Sequence, residues 1–476
     1  MGTGGFLFPL LYIEKGEDHS MQSQSRTYLF EQMPVGQAVL RQIVPAVASQ
    51  MIALVYNLAD TYFVGLLNAP AQTAAVTVAA SSFIMLTAVS NLFGVGGASL
   101  VARALGRKDA AQAKQVSALA FWGGLLSACL FSLLFLLLEV PILTLCGGRG
   151  ETLPIALGYA RWVVVIGGPF TVLNTLLANL VRAEGSAVHA SVGVSFGGLL
   201  NILLDPLFVL PQFLNRGAVG AGIATALSNM AAVAYFLVYL AVKRKTTALS
   251  IHPGNLRAAG CHLRGILSVG FPTALQYALT VVAVGAQSRF VSHYTTQAVA
   301  ALGIVKKLDQ LPLYFSIGVS NGLLPLLAYN YASGNQERRH RAFLVGTSLS
   351  LGFALACLVA YELFAPFLAS LFISDPVTVQ YSAVFLRIMV VAMPMMAVCY
   401  PMIIQFQATG RAKEALITSV LRKGVLDIPL LFLMDSLLPL YGCMMVQPIV
   451  DSVSLVVAVI LYRRIRREEK RALPPA

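Results

Sequence analysis

Apolar residues run through this chain in long blocks rather than in the alternating pattern of a half-buried strand. Windows 73–102, 115–138, 217–242 and 266–288 contain no Asp, Glu, Lys or Arg. Each is long enough to cross a hydrocarbon layer of about 30 Å as a helix at 1.5 Å per residue. The dyad alternation of a membrane-spanning barrel is absent. Breaks at charged and glycine-rich segments divide the chain into twelve spans, near residues 42–66, 74–102, 116–140, 157–181, 188–210, 217–242, 264–292, 298–330, 342–372, 378–407, 415–436 and 440–462. The pattern also repeats. Pro45, Gly106, Pro141, Arg161, Pro169, Gly185 and Gly220 recur as Pro272, Gly334, Pro366, Arg387, Pro394, Gly410 and Gly442, at separations of 222 to 228 residues. An apolar unit of about 225 residues present twice is typical of secondary transporters. Six spans per half leave both halves in the same orientation. The expected fold is therefore an all-α integral membrane protein of twelve helices, in two six-helix lobes related by a parallel repeat.

Composition agrees with that pattern: 57% of residues are hydrophobic and 11% charged, against about a quarter charged in soluble domains. Charge then supplies orientation. Arg103, Arg107, Lys108 and Lys114, then Arg182, then Lys243, Arg244, Lys245, Arg257 and Arg264, then Arg338, Arg339 and Arg341, then Arg411 and Lys413, and finally the 463–471 tail all fall on one face. The positive-inside rule makes that face, and both termini, cytoplasmic. Arg161 and Arg387 lie near the other face, where they can snorkel outward. The resulting division is a cytoplasmic segment 1–40, an N-lobe 41–245, a linker 246–263, a C-lobe 264–464 and a basic tail 465–476. The net charge of +13 belongs to membrane-flanking loops without interleaved aromatics, so no nucleic-acid partner is expected. Residues 1–20 lack the features of a signal peptide, and Met21 is an alternative start to Met1. The six cysteines have no paired metal-ligand spacing and are expected as inert thiols.

Ionisable residues inside spans are costly, so each is a functional candidate until a partner explains it. Asp60, in NLADTYFVG (57–65), has no Lys or Arg in its span. Asp205, in NILLDP (201–206), follows Asn201 by four residues on the same helical face. Both acids fall roughly 9 Å from the outer ends of outward-running spans. Thr225, in GAGIATALS (220–228), comes near the same level on an inward-running span. Asp60, Asn201, Asp205 and Thr225 together make a hard-oxygen set suited to H⁺ or Na⁺. The competing reading makes each Asp a capping residue and Thr225 a packing residue. The second half does not keep the set: Asp60 aligns with Gln287, Asn201 with Lys423 and Thr225 with Gln447. Only Asp205 keeps its acid, as Asp427, and Lys423 lies four residues before it on one expected helix face.

Span eight carries Lys306, Lys307 and Asp309, which either line the cavity between lobes or pair with one another. Met393, Met395 and Met396 beside Pro394 offer a pliable substrate wall or plain core packing. Glu139 and Glu362, each a few residues before a proline at the external ends of spans three and nine, read as interfacial structure. Prolines within spans mark bends. The chain has no GxxxxGK[ST] phosphate loop and no nucleophile and base pair, so neither an ATP-driven pump nor an enzyme is indicated. No cofactor is expected beyond the coupling ion, H⁺ or Na⁺.

Several segments together resemble the multidrug and toxic compound extrusion (MATE) transporters, in particular their bacterial MepA-like and DinF-like branch. They are NLADTYFVG, FGVGGASLVARALGRKD (93–109), NILLDPLF (201–208), GAGIATALS, SNGLLPLLAYNYASGN (320–335) and QPIVDSVS (447–454), and the resemblance runs from about residue 34 to 462. It implies a two-lobed exporter in a bacterial cell membrane that alternates between outward and inward openings and exchanges a cation for amphipathic, often cationic, drugs. It also implies an N-lobe cation site at Asp60, Asn201, Asp205 and Thr225. Spans seven and ten lack the acids that form a second, C-lobe cation site in some members. The expected partners are a small amphipathic substrate and membrane lipid, with no obligatory protein. The alternative cargo is an endogenous lipid-linked or amphipathic molecule moved by a flippase or exporter.

Overall fold

The computed structural model describes residues 26–256 and 259–472, without the side chains of Lys470 and Ala472. The choice between Met1 and Met21, Arg257 of the basic linker and the last four residues of the tail lie outside the described residues. Among those described there is no strand. Nine single helices are long and apolar enough to cross a bilayer: α1 (Val35–Gly65), α2 (Pro70–Gly106), α3 (Ala110–Leu145), α5 (Ala187–Val209), α6 (Gly217–Val242), α7 (Leu263–Val291), α8 (Thr296–Ala332), α9 (Gln336–Ser370) and α12 (Tyr441–Ala472). Two further spans are bent pairs: α4a (Thr152–Ala160, continued by a π-helical segment Arg161–Ile166) with α4b (Gly168–Ala183), and α10a (Pro376–Val390) with α10b (Met393–Ala408). The twelfth consists of two short helices, α11a (Ala412–Val420) and α11b (Asp427–Leu437). Large apolar side chains such as Leu126, Leu137, Leu363, Phe367 and Ile460 stand exposed around the bundle, as they do on a lipid-facing surface.

The bends have local causes. Pro169 and Pro394 each sit in the first turn of the second half-helix, where a missing N–H costs nothing and the ring prevents the preceding helix from continuing straight. The two spans turn by 47° and 45° at these equivalent places. The break in α11 is of another kind and has no partner in α5. Lys423 adopts φ −140°, ψ 110°, and Gly424 adopts φ 126°, a region open at low cost only to glycine. The expectation that Lys423 and Asp427 share one helix face is therefore corrected. The helix stops between them, and the Asp427 carboxylate, in the first turn of α11b, folds back to accept the Gly424 N–H at 2.6 Å within the break.

The lobes meet unevenly. At the end that carries the basic loops, called here the basic end, small residues let the backbones touch. A Cβ on Gly318 would come within 2.7 Å of Val47 Cα, and one on Gly322 within 2.7 Å of Ile43 Cα. Gly96 lies against Ile266 and Gly270 against Leu92 in the same way. The apolar core follows suit: one cluster at the basic end takes Ile43, Val101 and Leu176 from the first lobe with Leu323, Leu327 and Ile404 from the second. Toward the opposite end each lobe has its own core, around Phe135 and Leu143 in one and Phe385 and Leu386 in the other. The two lobes are thus fused at the basic end and separate away from it.

Candidate functional site

Five helices of the first lobe build the site. Gly198 on α5 allows α1 to approach closely, since a Cβ there would reach 3.0 Å from the Ile52 side chain and 3.1 Å from Tyr56. That approach brings the Asp60 helix beside the Asn201 and Asp205 helix. From α6, Gly222 packs against Tyr159 of α4a. Asp205 is fully buried, Asn201 and Thr225 nearly so, and Asp60 partly.

The Asn201 amide donates to Asp205 Oδ1 and to Thr225 Oγ1, both at 3.4 Å. Asp60 lies within electrostatic range of Asp205, and Tyr56 and Tyr159 within range of both. A second polar tier sits beside them. The Asn174 amide donates to Asn229 Oδ1 at 2.9 Å, and the Asn229 amide to the Thr225 carbonyl at 2.9 Å. Tyr56, Tyr159, Asn174 and Asn229 went unmarked in the sequence because none is ionised at neutral pH. Spacing held a clue, since Tyr56 precedes Asp60, and Asn229 follows Thr225, by four residues.

The unsatisfied atoms define what the site can do. Asp60 Oδ1, Asn201 Oδ1 and Asp205 Oδ2 are buried acceptors without a hydrogen-bond donor among the described residues. Neither acid has a Lys, Arg or His within ion-pair distance among the described residues. Buried acceptors and carboxylates left this way cost several kcal/mol unless something positive meets them. Carboxylate, amide and hydroxyl oxygens are ligands for a proton or a hard cation rather than a soft metal.

The remaining candidates lie in the second lobe, apart from this set. Lys306, Lys307 and Asp309 on α8 are partly exposed, and none makes an ion pair within 4.0 Å among the described residues. Lys306 and Asp309 are instead within electrostatic range of each other and of Lys423. Met393 and Met396 are buried, Met393 inside the second lobe's core cluster, and Met395 is partly exposed. That placement favours packing over a substrate wall for the first two.

Two parallel six-helix lobes, sharing a core at the basic end and carrying an acidic hard-oxygen cluster within the bilayer span, are the architecture of a secondary transporter. The MatE family model matches residues 45–207 and 272–433, one copy per lobe. The chain belongs to the MatE family of multidrug and toxic compound extrusion transporters. Among relatives, the multidrug export protein MepA of Staphylococcus aureus strain MRSA252 is 28% identical over 439 residues, covering 92% of this chain and 96% of that protein. Among solved structures, a multidrug resistance MATE family transporter of the MOP superfamily in an outward-facing conformation aligns with a TM-score of 0.84 at 25% identity, covering 93% of this chain and 97% of that one. A MATE in complex with MaL6 aligns with a TM-score of 0.86 at 25% identity, covering 94% and 99%.

Proposed function

We propose that this protein exports amphipathic, mainly cationic small molecules from a bacterial cell, and that each export cycle takes in H⁺ or Na⁺ at Asp60, Asn201, Asp205 and Thr225. The observation that carries the reading is the trio of buried, unsatisfied acceptor oxygens on Asp60, Asn201 and Asp205, in a chain whose relatives include multidrug export proteins. The basic end is read as cytoplasmic, with both termini on that side. The described arrangement, fused at that end and separated at the other, then faces outward.

In this reading α1 is the coupling element. Its basic half is held between the lobes, with Ile43 and Val47 against Gly322 and Gly318 of α8. Its other half carries Asp60 into the ion site. Asn57 links the two regions by donating to Tyr314 Oη of α8 at 3.3 Å and to its own helix at Ala53. A cation that neutralises Asp60 and Asp205 removes the mutual repulsion of two buried carboxylates. It thereby favours a closer packing of α1 on α5, and any shift of α1 is felt at the seam with α8. Coupling needs the ion to bind the two conformations with different affinity, and each tenfold difference is worth about 1.4 kcal/mol.

The test is transport of a fluorescent cationic dye in proteoliposomes under imposed proton or sodium gradients. Gradient-driven transport by the unmodified protein, with a loss of about 10-fold or more in Asp60→Asn and in Asp205→Asn, is the expected result. Full gradient-driven transport by both variants would sink the proposed ion site. No dye movement by the unmodified protein under either gradient would overturn drug export and move the cargo to an endogenous amphipathic molecule.

A further inference from the structure

The second lobe carries a structural counterpart of the ion site, and it already holds a cation. An offset of 222 residues takes Asn201 to Lys423, Asp205 to Asp427, Thr225 to Gln447 and Asn229 to Asp451. The cross-helix contact is kept along with the spacing. In the first lobe the Asn201 amide reaches Thr225 Oγ1 from α5 to α6. In the second, Lys423 Nζ donates to Gln447 Oε1 at 2.5 Å, bridging the break in α11 to α12.

Around that bond the chemistry is inverted. The Gln447 amide donates to Asp451 Oδ2 at 2.7 Å, and Arg422 Nε donates to Asp451 Oδ1 at 3.0 Å. The Arg422 guanidinium lies 4.2 Å from the centre of the Tyr400 ring. Lys306 and Asp309 are within electrostatic range of Lys423. Lys306, Arg422 and Lys423 face Asp309, Asp427 and Asp451, so positive and negative groups match in number, whereas the first lobe's site has two acids and no base. The backbone differs as well: α5 is continuous through Asn201 and Asp205, while α11 opens at Lys423 and Gly424.

We propose that Lys423 is a resident cation, its ammonium filling in the second lobe the place that the first lobe's site offers to a mobile ion. The second lobe then takes no coupling ion, and its polar centre stays in one charge state through the cycle. The comparison with a mobile ion rests on the function proposed above; the filling of the second-lobe pocket by an ammonium group does not.

The experiment is thermal unfolding of the purified full-length protein in detergent, with methylammonium or ethylammonium as the probe. Lys423→Ala should melt below the unmodified protein. A small primary ammonium should recover most of that loss saturably, tetramethylammonium should not, and the unmodified protein should respond to neither. An unchanged melting temperature in Lys423→Ala, or a loss that no primary ammonium restores, would overturn the proposal. Where Lys423→Ala does not fold, Lys423→Asn with Gln447→Thr removes the ammonium and places the first lobe's Asn and Thr beside Asp427, the counterpart of Asp205. Placed in an Asp60→Asn, Asp205→Asn background, it should gain stabilisation by Na⁺ or by lowered pH, and an absence of that gain would count against the resident cation. The same background without the second-lobe changes reports separately on the first lobe, because an ion response persisting there contradicts only the N-lobe site.

Discussion

Repeated residues in the two lobes have kept their identity while their surroundings diverged, and one acid and base pair makes this measurable. Arg161 reaches back one span to Glu139, with Nη2 at 2.5 Å and Nε at 2.9 Å from one carboxylate oxygen, and the Glu139 side chain is only 6% exposed. Its repeat, Arg387 with Glu362, is at 3.8 Å with the acid 40% exposed. Read alone, both arginines looked like side chains stretching toward the outer surface; what the fold supplies is an acid within reach. A carboxylate removed from water depends on its partner far more than one still hydrated. Glu139→Gln should therefore lower the melting temperature in detergent clearly, and Glu362→Gln only marginally. Equal losses from the two would show that burial does not separate the pairs.

At the scale of helices, three spans are broken, for two physical reasons. The bends of α4 and α10 sit at prolines, which no residue partner can straighten. The break in α11 rests on one glycine at φ 126° and on the Asp427 carboxylate that accepts its N–H. A side chain in that sparsely populated region costs about 1–3 kcal/mol, and a Cβ there would also come within 2.7 Å of the Leu279 side chain. Gly424→Ala should thus destabilise the protein by about 1–3 kcal/mol in chemical unfolding. Gly352→Ala, where a Cβ meets nothing within 4 Å, should cost nothing and is the control.

Across the whole molecule, the segment before α1 adds a latch to the fused end. Arg338, at the start of α9, donates to the carbonyls of Leu29, Phe30 and Met33 at 3.2, 2.6 and 2.6 Å. The Phe30 ring stacks on Tyr329 at 4.6 Å, and Tyr329 Oη donates to Glu31 at 2.7 Å. On the first lobe, the same ring lies against Gly185, whose carbonyl accepts from Gln42. Hydrogen bonds to a charged group are worth about 1.5–3 kcal/mol each, so losing one shifts a two-state balance about tenfold or more. Arg338→Ala should populate a form open at the basic end, seen as a longer distance between spin labels in the loops after α2 and α8. An unchanged distance distribution would show that the glycine seam alone holds that end shut.

Twelve spans, the duplication and the four N-lobe candidates were legible in the chain itself, because a bilayer excludes unpaired charge so strongly that hydropathy and misplaced acids stand out without any knowledge of packing. Boundaries came out short, as for α1 and α2, because helices extend past the hydrocarbon into loops where polarity no longer marks them. Tertiary structure alone decided which polar groups meet. The tier of Asn174, Asn229, Tyr56 and Tyr159 is uncharged and so carries no hydropathy signal, and the Arg422 and Asp451 pair joins helices whose contact no local pattern encodes. It also decided the fate of Lys423 and Asp427, which helical spacing would join. The backbone break at Gly424 separates them: Lys423 reaches Gln447 on α12, and Asp427 accepts the Gly424 N–H that the break leaves without a helical partner.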